Sequence, residues 1–128
     1  MKTVIIMGSL SDESHAKKIT DKLDEYKILW EKHVASAHKQ PLEVLKILDE
    51  NSEKKNIIYI TIAGRSNALS GFVAANSKHP TIGCPPFSDK SDMLVNIHST
   101  LQMPSKTPVL TVIDPGNCAL AVKRIFCV

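Results

Sequence analysis

With 128 residues, 43% of them apolar, the chain has material for one compact domain spanning 1–128 and little room for a second. Lys and Arg number 16 against 13 Asp and Glu, a net charge of only +3 with basic residues scattered among acidic ones, so nucleic acid is not an expected partner. No apolar run approaches the roughly 20 residues of a membrane helix, no signal-peptide succession opens the chain, and Cys84, Cys118 and Cys127 show neither a disulfide framework nor a zinc-ligand spacing; the expectation is a cytoplasmic protein with reduced thiols, no membrane contact and no metal.

Thr3 to Met7 is a short, β-branched apolar run ending at Gly8, the pattern of a strand buried on both faces. From Asp12 to Leu23, Ala16, Ile19 and Leu23 fall on one side of a 3.6-residue period and predict a helix. Tyr26 to Val34 reads as a weaker strand, its polar interruptions suiting an edge or near-edge position. Pro41 suits a first helical position, and Leu42, Leu45 and Leu48 continue that helix to about Asn51. Ile57 to Ile62 is the clearest strand and runs to Gly64, followed by a helical stretch containing Leu69, Phe72 and Val73.

A short fourth strand, Thr81 to Cys84, is halted by Pro85-Pro86. Ser91 is a candidate N-cap for the next helix, whose Met93, Leu94, Ile97 and Leu101 stand at helical spacing. Pro108 opens a fifth strand over Val109 to Ile113, and Cys118, Ala121, Val122 and Ile125 predict the inward stripe of a last helix. Strands alternating with helices imply parallel crossovers, and therefore an α/β domain of three layers, α-β-α, around a parallel sheet of about five strands. In such sheets ligands bind beyond the carboxyl ends of the strands, where strand order reverses. The segments after the strands are therefore the candidates.

After the first strand, Gly8-Ser9-Leu10-Ser11-Asp12 offers backbone N–H groups, hydroxyls and a helix start, which suit a phosphate; Ser11 or Asp12 serving only as a helix cap is an equal reading. After the second, Ser36-Ala37-His38-Lys39 sets a group that titrates near neutrality beside a cation, and of the five histidines only His38 stands in a post-strand loop among small residues. After the third, Gly64 permits close approach, Ser66 and Asn67 offer neutral donors, and Arg65 is a permanent cation. Cys84-Pro85-Pro86 reads as pocket wall, with no base in the sequence to activate the thiol. The Met103-Pro104 pair reads as packing.

Taken together, GSLSD at 8–12, SAHK at 36–39, AGRSNALSG at 63–71, CPP at 84–86 and LQMPS at 101–105 resemble, in order and spacing, the PurE family of purine biosynthesis. The resemblance covers nearly the whole chain. It implies a flavodoxin-like fold and carboxyl transfer on 5-aminoimidazole ribonucleotide, giving 4-carboxy-5-aminoimidazole ribonucleotide, without metal or organic cofactor. The family's mutase class, which rearranges N5-carboxyaminoimidazole ribonucleotide, typically has SAHR and a third loop with its own histidine. Lys39 and the histidine-free Arg65-Ser66-Asn67 instead resemble the class II enzymes, which use carbon dioxide directly as co-substrate. The LQMPS segment is compatible with either class.

Carried over by position, the resemblance implies that Ser9, Ser36 and Lys39 hold the ribonucleotide phosphate and Asp12 the ribose hydroxyls. His38 would be the proton carrier, and Gly64, Ser66 and Asn67 would line the base and carboxylate region. The mutase reaction is the alternative within the family, and a flavodoxin-like binding or receiver module the alternative outside it. A receiver would need clustered acids at the strand ends, where this chain has Gly, Ser, His and Asn. Members often continue into a further C-terminal helix that touches a neighbouring subunit, whereas this sequence reaches only Val128; a homo-oligomer, octamer or tetramer, is implied.

Overall fold

The computed structural model describes all residues, 1–128. Five parallel strands, β1 (Lys2–Met7), β2 (Leu29–Val34), β3 (Ile57–Ile62), β4 (Thr81–Gly83) and β5 (Leu110–Thr111), lie in the order β2-β1-β3-β4-β5. Five helices connect or follow them: α1 (Glu13–Glu25), α2 (Pro41–Asn51), α3 (Ala68–Ala75), α4 (Lys90–Leu101) and α5 (Pro115–Phe126). The expected three-layer α/β architecture is the one observed.

β1 and β3 occupy the middle of the sheet and are almost wholly buried, which is why they read as unbroken apolar runs. Their alternate side chains feed two cores. Ile5, Met7, Ile58 and Ile60, joined by Ile82 of β4, meet Ala16, Ile19 and Leu23 of α1 and Cys118, Ala119 and Val122 of α5 on one face. Val4, Ile6, Ile57 and Tyr59 meet Val44, Ile47 and Leu48 of α2 and Leu69 and Val73 of α3 on the other. No helix is long and apolar enough to cross a membrane.

Several boundaries differ from the sequence expectation. β2 begins at Leu29 instead of Tyr26, because Tyr26 closes α1 with its N–H on the Lys22 carbonyl and Lys27 turns the chain through a left-handed φ of 57°. It does lie at the sheet edge, which explains its mixed burial. β5, the opposite edge, pairs over only two residues, Ile82 with Leu110 and Gly83 with Thr111. The cap of α4 is Asp89, whose Oδ1 accepts from the Asp92 N–H at 2.8 Å, not Ser91.

The apolar stripes of three helices are also displaced. In α2, Leu42 and Leu45 are exposed and Val44, Ile47 and Leu48 make the buried face. In α4, Leu94 and Leu101 are exposed, and the residues turned inward are Asn96 and Thr100. In α5, Ile125 is exposed and Cys118, Ala119 and Val122 make the buried face. Gly71 has a packing reason: a Cβ there would come within 2.9 Å of Met103 Sδ, so its absence lets the segment after α4 lie against α3.

Strand order reverses at β1, with β2 on one side and β3 on the other. The crevice for a ligand therefore opens above the carboxyl ends of β1 and β3. The sheet ladder continues one rung beyond three strands there, through Ala35 N–H to Met7 O (2.9 Å), Gly8 N–H to Ile62 O (2.9 Å) and Cys84 N–H to Thr61 O (2.9 Å). Each loop above the sheet thus starts from a fixed backbone position.

Candidate active site

Two adjoining cavities occupy this crevice. The smaller, about 160 Å³, is lined by Ser9 and Asp12 from the first loop, Ser36 and His38 from the second, and Gly64 and Ser66 from the third. Three loops distant in sequence therefore meet as the strand order requires. The larger cavity, about 540 Å³, shares Ser9, Asp12 and Gly64 with the smaller and extends toward His15, Arg65 and Asp92.

The first loop makes a single 3-10 turn, Leu10–Asp12, before α1. Ser9 caps that turn, its Oγ accepting from the Ser11 N–H at 3.2 Å and lying 2.8 Å from the Ser11 hydroxyl. Asp12 occupies the N-cap position of α1 but makes no capping hydrogen bond. Of the two candidate caps, Ser11 and Asp12, neither serves: Ser9 does, and the Asp12 carboxylate is left to face both cavities. Partial burial pushes its pKa up from the usual carboxylate range, and the nearby His15 works in the opposite direction.

The second loop closes on itself. Gln40 N–H donates to Ser36 O at 2.7 Å, Lys39 N–H to Ser36 Oγ at 3.2 Å, and Ser36 N–H to Gln40 Oε1 at 3.2 Å, after which Pro41 starts α2. This turn projects His38 toward the third loop, where its Nε2 lies 3.2 Å from the Ser66 carbonyl oxygen. A carbonyl only accepts, so neutral His38 holds its proton on Nε2 in this contact and leaves Nδ1 as an acceptor. Lys39 is exposed and is not among the residues lining either cavity.

The third loop carries Arg65 in the left-handed region, at φ 55°, a conformation uncommon for a residue with a Cβ. Asn67 caps α3, its Oδ1 accepting from Ser70 N–H at 3.1 Å, while its Nδ2 donates to Ser70 Oγ at 2.8 Å and Thr100 Oγ1 at 3.0 Å. The side chain is buried and fully used by these bonds, so Asn67 shapes the loop from beneath and does not line the smaller cavity. Arg65 faces Asp92, whose carboxyl is held below its ordinary pKa chiefly by the Ser88 backbone N–H, with the Arg65 charge adding to the effect.

His15 is the neighbour that sequence reasoning missed. Its Nε2 lies 3.0 Å from the Cys84 carbonyl oxygen and 3.5 Å from Cys84 Sγ, so the thiol does have an imidazole beside it. Hydrogen bonding from Cys118, opposed by burial and aided by His15, draws the Cys84 thiol down, and the same pairing with burial pushes Cys118 up. Cys84 is wholly buried and stands behind the cavity wall, which Pro86 forms instead. The three-residue spacing from Asp12, at the N-cap, to His15 in the first turn of α1 was the available signal, since it sets both on the same side of the helix start. No group of three or more His, Cys, Asp or Glu side chains is placed to hold a metal ion.

What the arrangement offers is a proton acceptor, an uncommitted carboxylate, hydroxyls and backbone donors around a small space that opens into a larger one. Residues 2–128 match the family of AIR carboxylases. A phosphoribosylaminoimidazole carboxylase of Archaeoglobus fulgidus is 49% identical over 98% of this chain and 69% of its own length. One of Treponema denticola is 46% identical over 96% of this chain and 77% of its own. The crystal structure of Treponema denticola PurE superimposes with a TM-score of 0.91 at 44% identity, covering 98% of this chain and 80% of that one.

Proposed function

The chain belongs to the AIR carboxylase family, and we propose that it joins carbon dioxide to C4 of 5-aminoimidazole ribonucleotide, giving 4-carboxy-5-aminoimidazole ribonucleotide in purine biosynthesis. The observation that carries the reading is the convergence of His38, Ser66 and the uncapped Asp12 on one small cavity at the strand-order reversal. Lys39 and the histidine-free third loop, as in the class that uses carbon dioxide directly, support carboxylation over rearrangement of an N5-carboxy precursor.

The imidazole and carbon dioxide occupy the smaller cavity, and the ribose and phosphate extend from it. The electron-rich C4 attacks the carbon of carbon dioxide, a C–C bond forms, and the new carboxylate is met by the donors around Gly64 and Ser66. His38 then takes the C4 proton on Nδ1, restoring the aromatic ring, and in the reverse direction returns it. Asp12 accepts from the ribose hydroxyls, while Ser9, Ser36 and Lys39 hold the phosphate. The proposed chemistry moves one proton and transfers no electron, and the reading includes neither a metal nor an organic cofactor, which full turnover after chelation would support. The exposed Leu94, Val95 and Leu101 of α4 support a homo-oligomer, a state that sedimentation would establish.

The deciding experiment supplies purified, chelator-treated protein with 5-aminoimidazole ribonucleotide and bicarbonate, with no N5-carboxy compound. Catalytic formation of the C4-carboxylated product is expected. Turnover of the N5-carboxy compound without turnover of this pair would overturn the reading in favour of the mutase.

A further inference from the structure

We propose that Ser99, on α4 and outside both cavities, is a positioning residue that holds the third loop so that Ser66 can orient His38. The proposal rests on the reading that His38 moves the proton. Ser99 Oγ accepts from the Asn67 N–H at 2.9 Å and donates to the Arg65 carbonyl. One hydroxyl therefore clasps the backbone on both sides of Ser66, using its donor on one flank and a lone pair on the other. Ser66 is the residue whose carbonyl receives His38 Nε2.

The loop needs an external hold. Arg65 is left-handed at φ 55°, and within the loop's own segment the holds are Ala68 N–H to Ser66 O at 3.0 Å and the Asn67 side chain on Ser70, neither of which engages the Arg65 carbonyl or the Asn67 N–H. Ser99 also has an alternative within its own helix, the Asn96 carbonyl at 3.4 Å, which is the partner a helical serine ordinarily uses. Its single proton lies toward the closer Arg65 carbonyl. The next residue reinforces the grip, because Thr100 Oγ1 receives Asn67 Nδ2 at 3.0 Å, and Asn67 connects onward through Ser70 to Thr61 of β3 at 2.7 Å.

This accounts for Thr100 on the inward face of α4, where a leucine would leave Asn67 Nδ2 short of an acceptor; the Asn96 side chain bonds Asp92 of the same helix. The helix reaches the rest of the domain here by hydrogen bonds to the third loop. Without the Ser99 hydroxyl, the peptide unit between Ser66 and Asn67 loses the partner of its N–H, the Ser66 carbonyl turns from Nε2 toward its remaining donor, the Ala68 N–H, and the imidazole loses the bond that selects its tautomer.

The test compares Ser99→Thr, which keeps a hydroxyl, with Ser99→Val, which has nearly the same shape without one. Nitrogen NMR of protein labelled in histidine, with the His38 signals assigned by their loss in His38→Asn, reads the tautomer directly. The native protein and Ser99→Thr should show His38 protonated on Nε2, and Ser99→Val a mixture. In parallel, kcat should fall about 10- to 100-fold in Ser99→Val, the range expected when a reacting group is misplaced by about an ångström, with the ribonucleotide KM within about twofold.

An unchanged tautomer in Ser99→Val, or an equal loss of kcat in both variants, would overturn the clasp. If the valine variant does not fold, Ser99→Ala gives the same two readouts. A mixed tautomer in Ser99→Val together with a fully active His38→Asn would leave the clasp standing and overturn the proton reading instead.

Discussion

His38 and Ser66, 28 positions apart in sequence, meet at 3.2 Å across the end of β1, imidazole Nε2 to carbonyl oxygen. Neither residue belongs to β1, yet β1 sets their separation, because β2 and β3 are its two neighbours in the sheet. Removing the imidazole should therefore affect the chemical step and little else. For His38→Asn, kcat is expected to fall by about 10² to 10⁴, the usual worth of general acid–base catalysis, with the ribonucleotide dissociation constant changed less than about threefold. A variant turning over near the native rate would remove His38 from its role.

Asp12 has no structural duty as a cap, so Asp12→Asn separates binding from folding. Losing a charged acceptor for the ribose hydroxyls should raise the ribonucleotide KM about 10- to 100-fold. Stability should move the other way. Burial raises the carboxyl pKa in the folded state, so the unfolded chain releases that proton more readily and stability falls as pH climbs through the folded pKa. The variant should be more stable than the native protein at neutral pH, with the difference vanishing below the ordinary carboxylate range; thermal melts across pH 3 to 7 (roughly the span of carboxylate titration) check the sign.

Lys39 is exposed, so its hold on a phosphate is made in water and should be modest. Lys39→Ala is expected to raise the ribonucleotide KM by about 3- to 10-fold at low salt, shrinking as salt is added, with kcat nearly unchanged. A KM insensitive to both the substitution and ionic strength would assign the phosphate to other groups.

Asn67→Ala removes the α3 cap and leaves Thr100 Oγ1 and the Ser70 N–H short of a partner in the interior. The expected loss is about 2 kcal/mol in chemical denaturation, from a lost cap and buried groups left unpaired. Asn67→Ser, which can cap but cannot reach both hydroxyls, should recover part of it.

The fold was legible because β1 and β3 are buried on both faces and the flanking helices carry clear periodicity. The second strand's polar residues correctly indicated an edge. Periodicity failed on α4, where the apolar stripe at Leu94 and Leu101 faces outward; a 3.6-residue pattern marks one face of a helix but not what that face meets. Ser91 and Asp89 are both good caps two residues apart, and only the backbone decides between them.

In the site, each post-strand loop was visible as a break after an apolar run, and the crevice then brought Ser9, Asp12, Ser36, His38, Gly64 and Ser66 together. Asn67 lies with them in sequence but below them in space. His15 and Cys84 touch across 69 positions, and Ser99 reaches the third loop from a helix in which the sequence offered no candidate site residue. Such pairings arise from tertiary approach, and no local pattern announces them.

The ladder bonds at Ala35, Gly8 and Cys84 give the loops anchors that use main-chain atoms alone. A main-chain anchor tolerates a change of side chain above it. The chemistry of this enzyme is thereby detachable from its framework: the side chains of Arg65 and Ser66 can diverge while the rung at Ile62 still receives Gly8, much as a tool head is changed on an unchanged handle.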